Sequence, residues 1–268
     1  MNVHSLDVYW YLLRTFRNGP ELIRTVRNGG LLANGPTIDE AIFWDGTRLC
    51  HPPGRGGFIG TLLEVLLDNV YRLGSFYTPE PGDVVLDLGA HVGIYAFRLL
   101  RNYPCRVMAL EPSAENIACL RKNLEDFGGQ RVQIYNLAVG GAAGRVRVET
   151  PKSTNRSHDA RVVPGGDGDT DAVDAITLAA VLELAQCDRV ALLKMDIEGG
   201  EYDAFSTLDD ALLPRIKRIA MEYHDNLREG TLDMLKKKLR RTHDLTITGE
   251  GDGRGYGMLF AQLKERHP

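Results

Sequence analysis

The residues best suited to chemistry stand where apolar runs of this chain stop. Asp87 lies at the end of Val84-Val85-Leu86, and Gly89-Ala90-His91-Val92-Gly93 follows it. Glu111, with Pro112 behind it, ends a second run 22 residues beyond Gly89. The segment from Lys194 to Asp203, KMDIEGGEYD, places Asp196, Glu198, Glu201 and Asp203 within eight positions. Met221-Glu222-Tyr223-His224-Asp225 closes another run. An acid in the position of Glu111 can accept hydrogen bonds from both hydroxyls of a ribose. Period two puts Glu222 and His224 on one side of a strand. An imidazole can take up a proton near neutral pH, so His224 is expected to act as general base, with Glu222 orienting or charging it. Asp196, at a strand end, is expected to align cofactor or acceptor, and Glu198 to bond backbone amides in the Gly199-Gly200 turn. Glu201 and Asp203 read as the solvated start of a helix, where carboxylates suit the macrodipole. Lys194 is expected to pair with a carboxylate inside the sheet.

Spacing separates two classes of nucleotide ligand. Gly89 permits a tight turn, and Gly93 would let a ligand approach the backbone at a helix start. A dinucleotide site wants GxGxxG, with its second Gly against a pyrophosphate. Here the pattern is GxxxG, and Asp87 beside it would repel a pyrophosphate but attract an ammonium group. The expected ligand is therefore an adenosine with a cationic amino-acid end, S-adenosylmethionine. Glu64 and Tyr71, seven apart on one helix face, could close over its methionine end. Asp196, Glu222 and His224 could also hold a magnesium ion, but no dense DxDxD pattern supports one, and no metal site is expected.

Five segments carry a family resemblance. VVLDLGAHVGIYAF (84–97), ALEPSAENIACLRKNL (109–124), NLAVG (136–140), LLKMDIEGGEYDAF (192–205) and MEYHD (221–225) together resemble the FkbM-type S-adenosylmethionine-dependent methyltransferases. The resemblance spans about residues 55–263 and implies a class I methyltransferase, Rossmann-like fold. It implies that Gly89, Ala90, His91 and Gly93, with Glu111 and Pro112, hold the cofactor's methionine end and ribose. Asn136 and Asp196, after the third and fourth strands, would flank the adenine and the reaction site. It further implies O-methylation, often of a sugar, polyketide or natural-product hydroxyl. His91 stands where the family often has Asn, and its backbone could be all that matters there. Methylation of a carboxyl or nitrogen acceptor, and a regulatory adenosine-binding protein without turnover, are the alternatives.

The elements that must position these residues alternate. Strands are expected at 84–89, 106–112, 131–139, 189–199 and 215–224, with helices at 93–102, 113–127, 175–185, 201–208 and 231–242. Such alternation predicts a doubly wound α/β fold with a mostly parallel seven-stranded sheet. Residues 245–263 read as two strands around a Gly-rich turn, too close for a crossover, so the last strand should enter antiparallel. Segment 145–150 alternates and looks like an added antiparallel strand. Segment 151–172, with Asn155, Arg156, Ser157 and His158, is a candidate lid. A helix is expected over 58–73. Residues 1–57 are expected to form a small helical and irregular head, with 58–268 as the cofactor-binding domain. Arg14, Arg17, Arg24 and Arg27 on the head read first as a solvated face; Tyr9, Trp10, Tyr11 and Phe16 would cover the sheet or make a homodimer contact.

Composition limits the function classes. The 268 residues carry 32 Lys+Arg against 36 Asp+Glu, a formal charge of −4, which makes no case for nucleic-acid binding. The four cysteines form no CxxC pair, so a reducing cytoplasm is expected. No apolar run reaches the ~18 residues of a membrane span, and the first twenty residues lack the pattern of a secretory signal. The expected partner is a small-molecule or glycan acceptor.

Overall fold

The computed structural model describes residues 5–32, 34–149, 161–165 and 172–265. The chain opens with helices α1 (Leu6–Thr15) and α2 (Gly19–Arg27), a hairpin of β1 (Glu40–Ile42) and β2 (Arg48–Cys50), and the short helix α3 (Phe58–Leu62). Strand β3 (Val84–Leu88), helix α4 (Ile94–Asn102), strand β4 (Arg106–Leu110), helix α5 (Ala114–Leu124) and strand β5 (Val132–Tyr135) make the first α/β half. Strands β6 (Ala138–Gly140), β7 (Gly144–Glu149), β8 (Arg161–Pro164) and β9 (Ala172–Thr177) follow, then helix α6 (Leu178–Leu184). The second half holds β10 (Leu192–Met195), α7 (Glu201–Ser206), β11 (Arg218–His224), α8 (Thr231–Leu239), β12 (His243–Ile247) and β13 (Tyr256–Leu263).

The main sheet has seven strands in the order β12-β13-β11-β10-β3-β4-β5. Strands β11, β10, β3, β4 and β5 run parallel, while β13 enters antiparallel between β11 and β12, as the short final connection requires. The order reverses between β3 and β10, so a cleft opens beyond the carboxyl ends of these two strands. Both faces of the sheet are covered. One face buries Val85, Val107 and Leu192 under α4, α5 and the head residues Leu12, Phe16 and Leu22. The other buries Leu86, Leu88, Leu193 and Met195 under α6, α7 and α8. Phe16 is fully buried against Phe43, whereas Trp10 is exposed.

Four expectations change. The strand expected at 131–139 splits after Tyr135, and β6 leaves for a second sheet of order β6-β9-β7-β8. The break has a local cause: the Asn136 side chain donates to the Glu111 and Pro112 carbonyls at 2.9 Å each and turns the chain off the sheet edge. The helix expected at 175–185 begins only at Leu178. Val173 and Ala175 are buried with strand period, and Thr177 caps the helix by accepting from Ala180 N. The 145–150 strand is antiparallel as expected, but its partners are β8 and β9. The helix expected at 58–73 runs only to Leu67, its last turn a π-helix over Leu63–Leu67. Asn69 and Arg72 then take left-handed backbone, and Asn69 closes the turn by bonding Leu73 in both directions. Within the candidate lid, Asn155, Arg156, Ser157 and His158 lie outside the described residues.

Candidate active site

On one side of the cleft, the loops after β3 and β4 meet at Glu111. Gly89 has φ +71°, and a Cβ there would sit 1.7 Å from the Asp196 carbonyl oxygen, so only glycine lets the ends of β3 and β10 approach this closely. His91 also takes left-handed backbone, with φ +53°. That turn aims its N–H at Glu111 Oε2, 2.9 Å away. Glu111 Oε1 accepts from Ser113 N at 3.0 Å and from the Asn116 amide at 3.1 Å. Ser113 in turn caps α5 by accepting from Asn116 N. Burial pushes the Glu111 carboxyl up, while these three donors oppose the shift. A carboxylate has about four in-plane acceptor positions. Three are taken, which leaves one open on Oε2. Leu137, Val139 and Val162 add an apolar wall to the same cleft.

On the other side, the turn after β10 and the end of β11 crowd carboxylates around one imidazole. Glu198 stands at φ +53°, with Oε2 3.7 Å from His224 Nε2. His224 Nδ1 lies 3.2 Å from Oε1 of Glu201, which is wholly buried. The Tyr71 hydroxyl, brought in by the turn that Asn69 closes, donates to Asp196 Oδ2 at 2.9 Å. Burial, then repulsion from Asp196, lifts the carboxyls of both Glu198 and Glu222 to about 8, with His224 opposing. For His224, burial pulls downward, but the bond to Glu201 and the charges of Glu201, Asp196 and Glu198 win and lift the ring to about 10. The ring is therefore an imidazolium near neutral pH. Asp196, Glu198 and His224 each bring one ligating atom within 4.8 Å of one another.

The model of the methyltransferase FkbM domain matches residues 87–244, more than half of the chain. The chain belongs to the FkbM methyltransferase family. The 31-O-demethyl-FK506 methyltransferase FkbM of Streptomyces tacrolimicus is 28% identical over 231 residues, which cover 76% of this chain and 87% of that protein. The AMB antimetabolite synthetase AmbE of Pseudomonas aeruginosa is 27% identical over 220 residues, 66% of this chain but only 10% of that much longer protein. Among solved structures, SMU.1697c from Streptococcus mutans in complex with SAH superposes with a TM-score of 0.46 at 10% identity, covering 75% of this chain and 97% of that one.

For this FkbM methyltransferase, an S-adenosylmethionine-dependent enzyme, the structure sorts the expected residues. Gly89, His91, Glu111, Pro112 and Asp196 all line the cleft. Ala90 lies beneath it, its N–H donating to the Leu110 carbonyl at 3.0 Å. Gly93 serves packing rather than ligand approach: a Cβ there would come 2.4 Å from Leu120 Cδ1, where α5 crosses α4. Asn136 acts on the loop of Glu111 and Pro112, not on the cleft. Asp87 corrects the expectation most. It is wholly buried, and Lys194 Nζ stands 3.1 Å away while donating to the Gly89 carbonyl at 2.7 Å. Asp87 is out of reach of a cofactor ammonium, because the lysine one strand away already neutralises it. Glu64 is exposed on the π-helical turn, and its charge acts on Glu222. Of that pair it is Tyr71 that closes on Asp196. Of the two roles expected for Glu222, orienting the ring falls to Glu201, while Glu222 is coupled to His224 through charge; the solvated-helix reading of Glu201 is overturned. The spacing that would have flagged Glu201 is its place just past a Gly-Gly turn, where a side chain folds back onto N–H groups. Among the described residues, no helix is long and apolar enough to cross a membrane.

Proposed function

We propose that this enzyme methylates a hydroxyl of a sugar, glycan or secondary metabolite. The observation that carries the reading is one cleft lined by unlike acids: the hydrogen-bonded Glu111 on one side, and on the other Asp196 and Glu198, whose charges are coupled to Glu222 and His224 packed next to them. S-adenosylmethionine supplies a methyl group already activated by a sulfonium. The cleft fits it: Oε2 of Glu111 has room for a ribose hydroxyl, the apolar wall suits an adenine, and the acidic rim favours a cation. The protein's work is alignment, exclusion of water and removal of one proton. As the acceptor oxygen bonds to the methyl carbon, the carbon–sulfur pair stays with sulfur as a neutral thioether, and the hydroxyl proton passes to a carboxylate of the cluster. Glu198 and Glu222, lifted to about 8, are basic enough for that role near neutral pH. His224, as the imidazolium among them, steadies the ionised carboxylates. A proton acceptor is useful to an alcohol and useless to an ionised carboxyl. The Streptomyces relative, a 31-O-demethyl-FK506 methyltransferase, is named for methylation at an oxygen. We read the reaction as metal-independent and the partner as a small molecule rather than nucleic acid, since an acidic rim and a chain charge of −4 oppose a phosphate backbone.

The test is release of S-adenosylhomocysteine against matched panels of sugars and small alcohols, carboxylic acids and amines, with and without a chelator. Turnover confined to hydroxyl acceptors and unchanged by chelation is expected. Turnover only with acids or amines would move the acceptor class, and loss on chelation with recovery on adding magnesium would make the acidic trio a metal site.

A further inference from the structure

We infer that Glu201 is a positioning residue that locks the cofactor-side turn and the His224 ring into one unit. The inference rests on the proposed acceptor site and adds a residue to it. Glu201 opens α7 and has no exposed surface. A solvated acid at a helix start would need neither this burial nor these contacts. Its Oε1 accepts from Ile197 N at 3.2 Å and Gly199 N at 3.3 Å, and lies 3.2 Å from His224 Nδ1. The first two contacts hold the turn that carries Asp196 and Glu198, both of which line the cleft. The third reaches across to the end of β11. One oxygen thus ties the cleft-lining turn after β10 to the ring at the end of β11. It also sets the ring's direction: with Nδ1–H held by Glu201, Nε2 points at Glu198. Burying an acid without saturating it is costly, and Oε2 of Glu201 has no hydrogen-bond partner among the described residues. A merely structural brace for the turn could be built from an amide at lower cost. The charge is what an amide would not supply, and the ring is the neighbour that responds to charge. The other groups facing the ring are Asp196 and Glu198 from the same turn and Glu222 from its own strand; among the described residues Glu201 is the carboxylate within hydrogen-bond distance of it, with Glu198 at 3.7 Å.

Two substitutions separate brace from charge. Glu201→Gln keeps an acceptor oxygen for Ile197 N, Gly199 N and the ring but removes the charge; Glu201→Ala removes both. Three quantities are read on the full chain: the titration of the His224 ring by NMR, the S-adenosylmethionine affinity by calorimetry, and kcat against KM. For the Gln variant, the His224 midpoint should fall by about one unit or more, cofactor affinity should stay within about threefold, and kcat should drop ~10- to 100-fold. For the Ala variant, cofactor affinity should weaken as well. A Gln variant with the parent's His224 midpoint and kcat would overturn the inference, whatever the Ala variant does. The ring titration and the calorimetry need no acceptor. If the midpoint moves as expected while no hydroxyl compound is methylated, the acceptor assignment fails and the role of Glu201 stands.

Discussion

The two rims of the cleft are built on opposite principles. At Glu111, one buried acid is surrounded by donors: two backbone N–H groups and an amide meet it at 2.9 to 3.1 Å. Around His224, the buried Glu201 and the half-buried Asp196, Glu198 and Glu222 crowd one imidazole, and the last three repel one another. A satisfied carboxylate is rigid and has its proton settled. A crowded one is held in place by the fold against its own electrostatics and has its proton poised. Binding calls for the first and proton transfer for the second. Neither rim needs the same kind of residue even where the residue type repeats: His91 contributes its backbone, His224 its ring.

The contrast breaks first at Glu111. Replacing it with Ala leaves His91 N, Ser113 N and the Asn116 amide facing a void, each a charge-assisted bond worth roughly 1.5–3 kcal/mol. The expected result is a loss of S-adenosylmethionine affinity of at least about 100-fold by calorimetry, with the thermal stabilisation given by the cofactor disappearing in parallel. Retained affinity in Glu111→Ala would mean that the donor-rich rim is not the cofactor's.

These two rims were unequally legible in the sequence. Glu111 stands out because its chemistry is local: a strand end, a proline, a helix cap two residues on, all within one stretch of chain. The parallel order and the antiparallel β13 follow from connection lengths for the same reason. The Asp87 pairing with Lys194 needed strand register, β3 against β10, which spacing alone does not give. Reading Asp87 as an acid open to the cleft missed that partner, since its side of the strand is buried beside Lys194. Glu201 was missed because what buries it is the end of β11, 23 residues away. The break in the 131–139 strand comes from an Asn136 side chain reaching back to the preceding loop. In each case the deciding contact joins segments far apart in the chain.

The crowded rim makes its own prediction, smaller at neutral pH. Glu198 and Glu222 have carboxyls raised to about 8, so they accept a proton only once ionised, and the rate should rise as pH climbs through about 8. His224 has a ring raised to about 10, so its charge is present below that value and lost above it. The pH profile of kcat/KM should therefore be a bell whose limbs lie near 8 and 10, with activity at pH 7 about tenfold below the optimum. Because the groups interact, the limbs belong to the cluster rather than to single residues. A single limb near 6.5 would instead indicate a free imidazole acting as the base, and the description of this rim would have to change.

The smallest effect is expected at His91, and it tests the contrast most finely. With φ at +53°, the residue occupies a conformation that costs an ordinary L side chain about 1–2 kcal/mol. Asn, Asp and His enter it more easily than other residues do. Its contribution to the cleft is the N–H held by Glu111, and its ring packs edge-on against His51 at 5.5 Å, next to the His51–Phe58 stack. If the backbone is what matters, His91→Asn should leave cofactor affinity within about threefold of the parent. His91→Val, β-branched and poorly suited to positive φ, should lower stability by about 1–2 kcal/mol in denaturant unfolding and weaken the cofactor with it. A tenfold or greater loss in the Asn variant would show that the ring itself touches the ligand. The two histidines would then act alike, and the division between a rim that works through backbone donors and one that works through a titrating side chain would no longer hold.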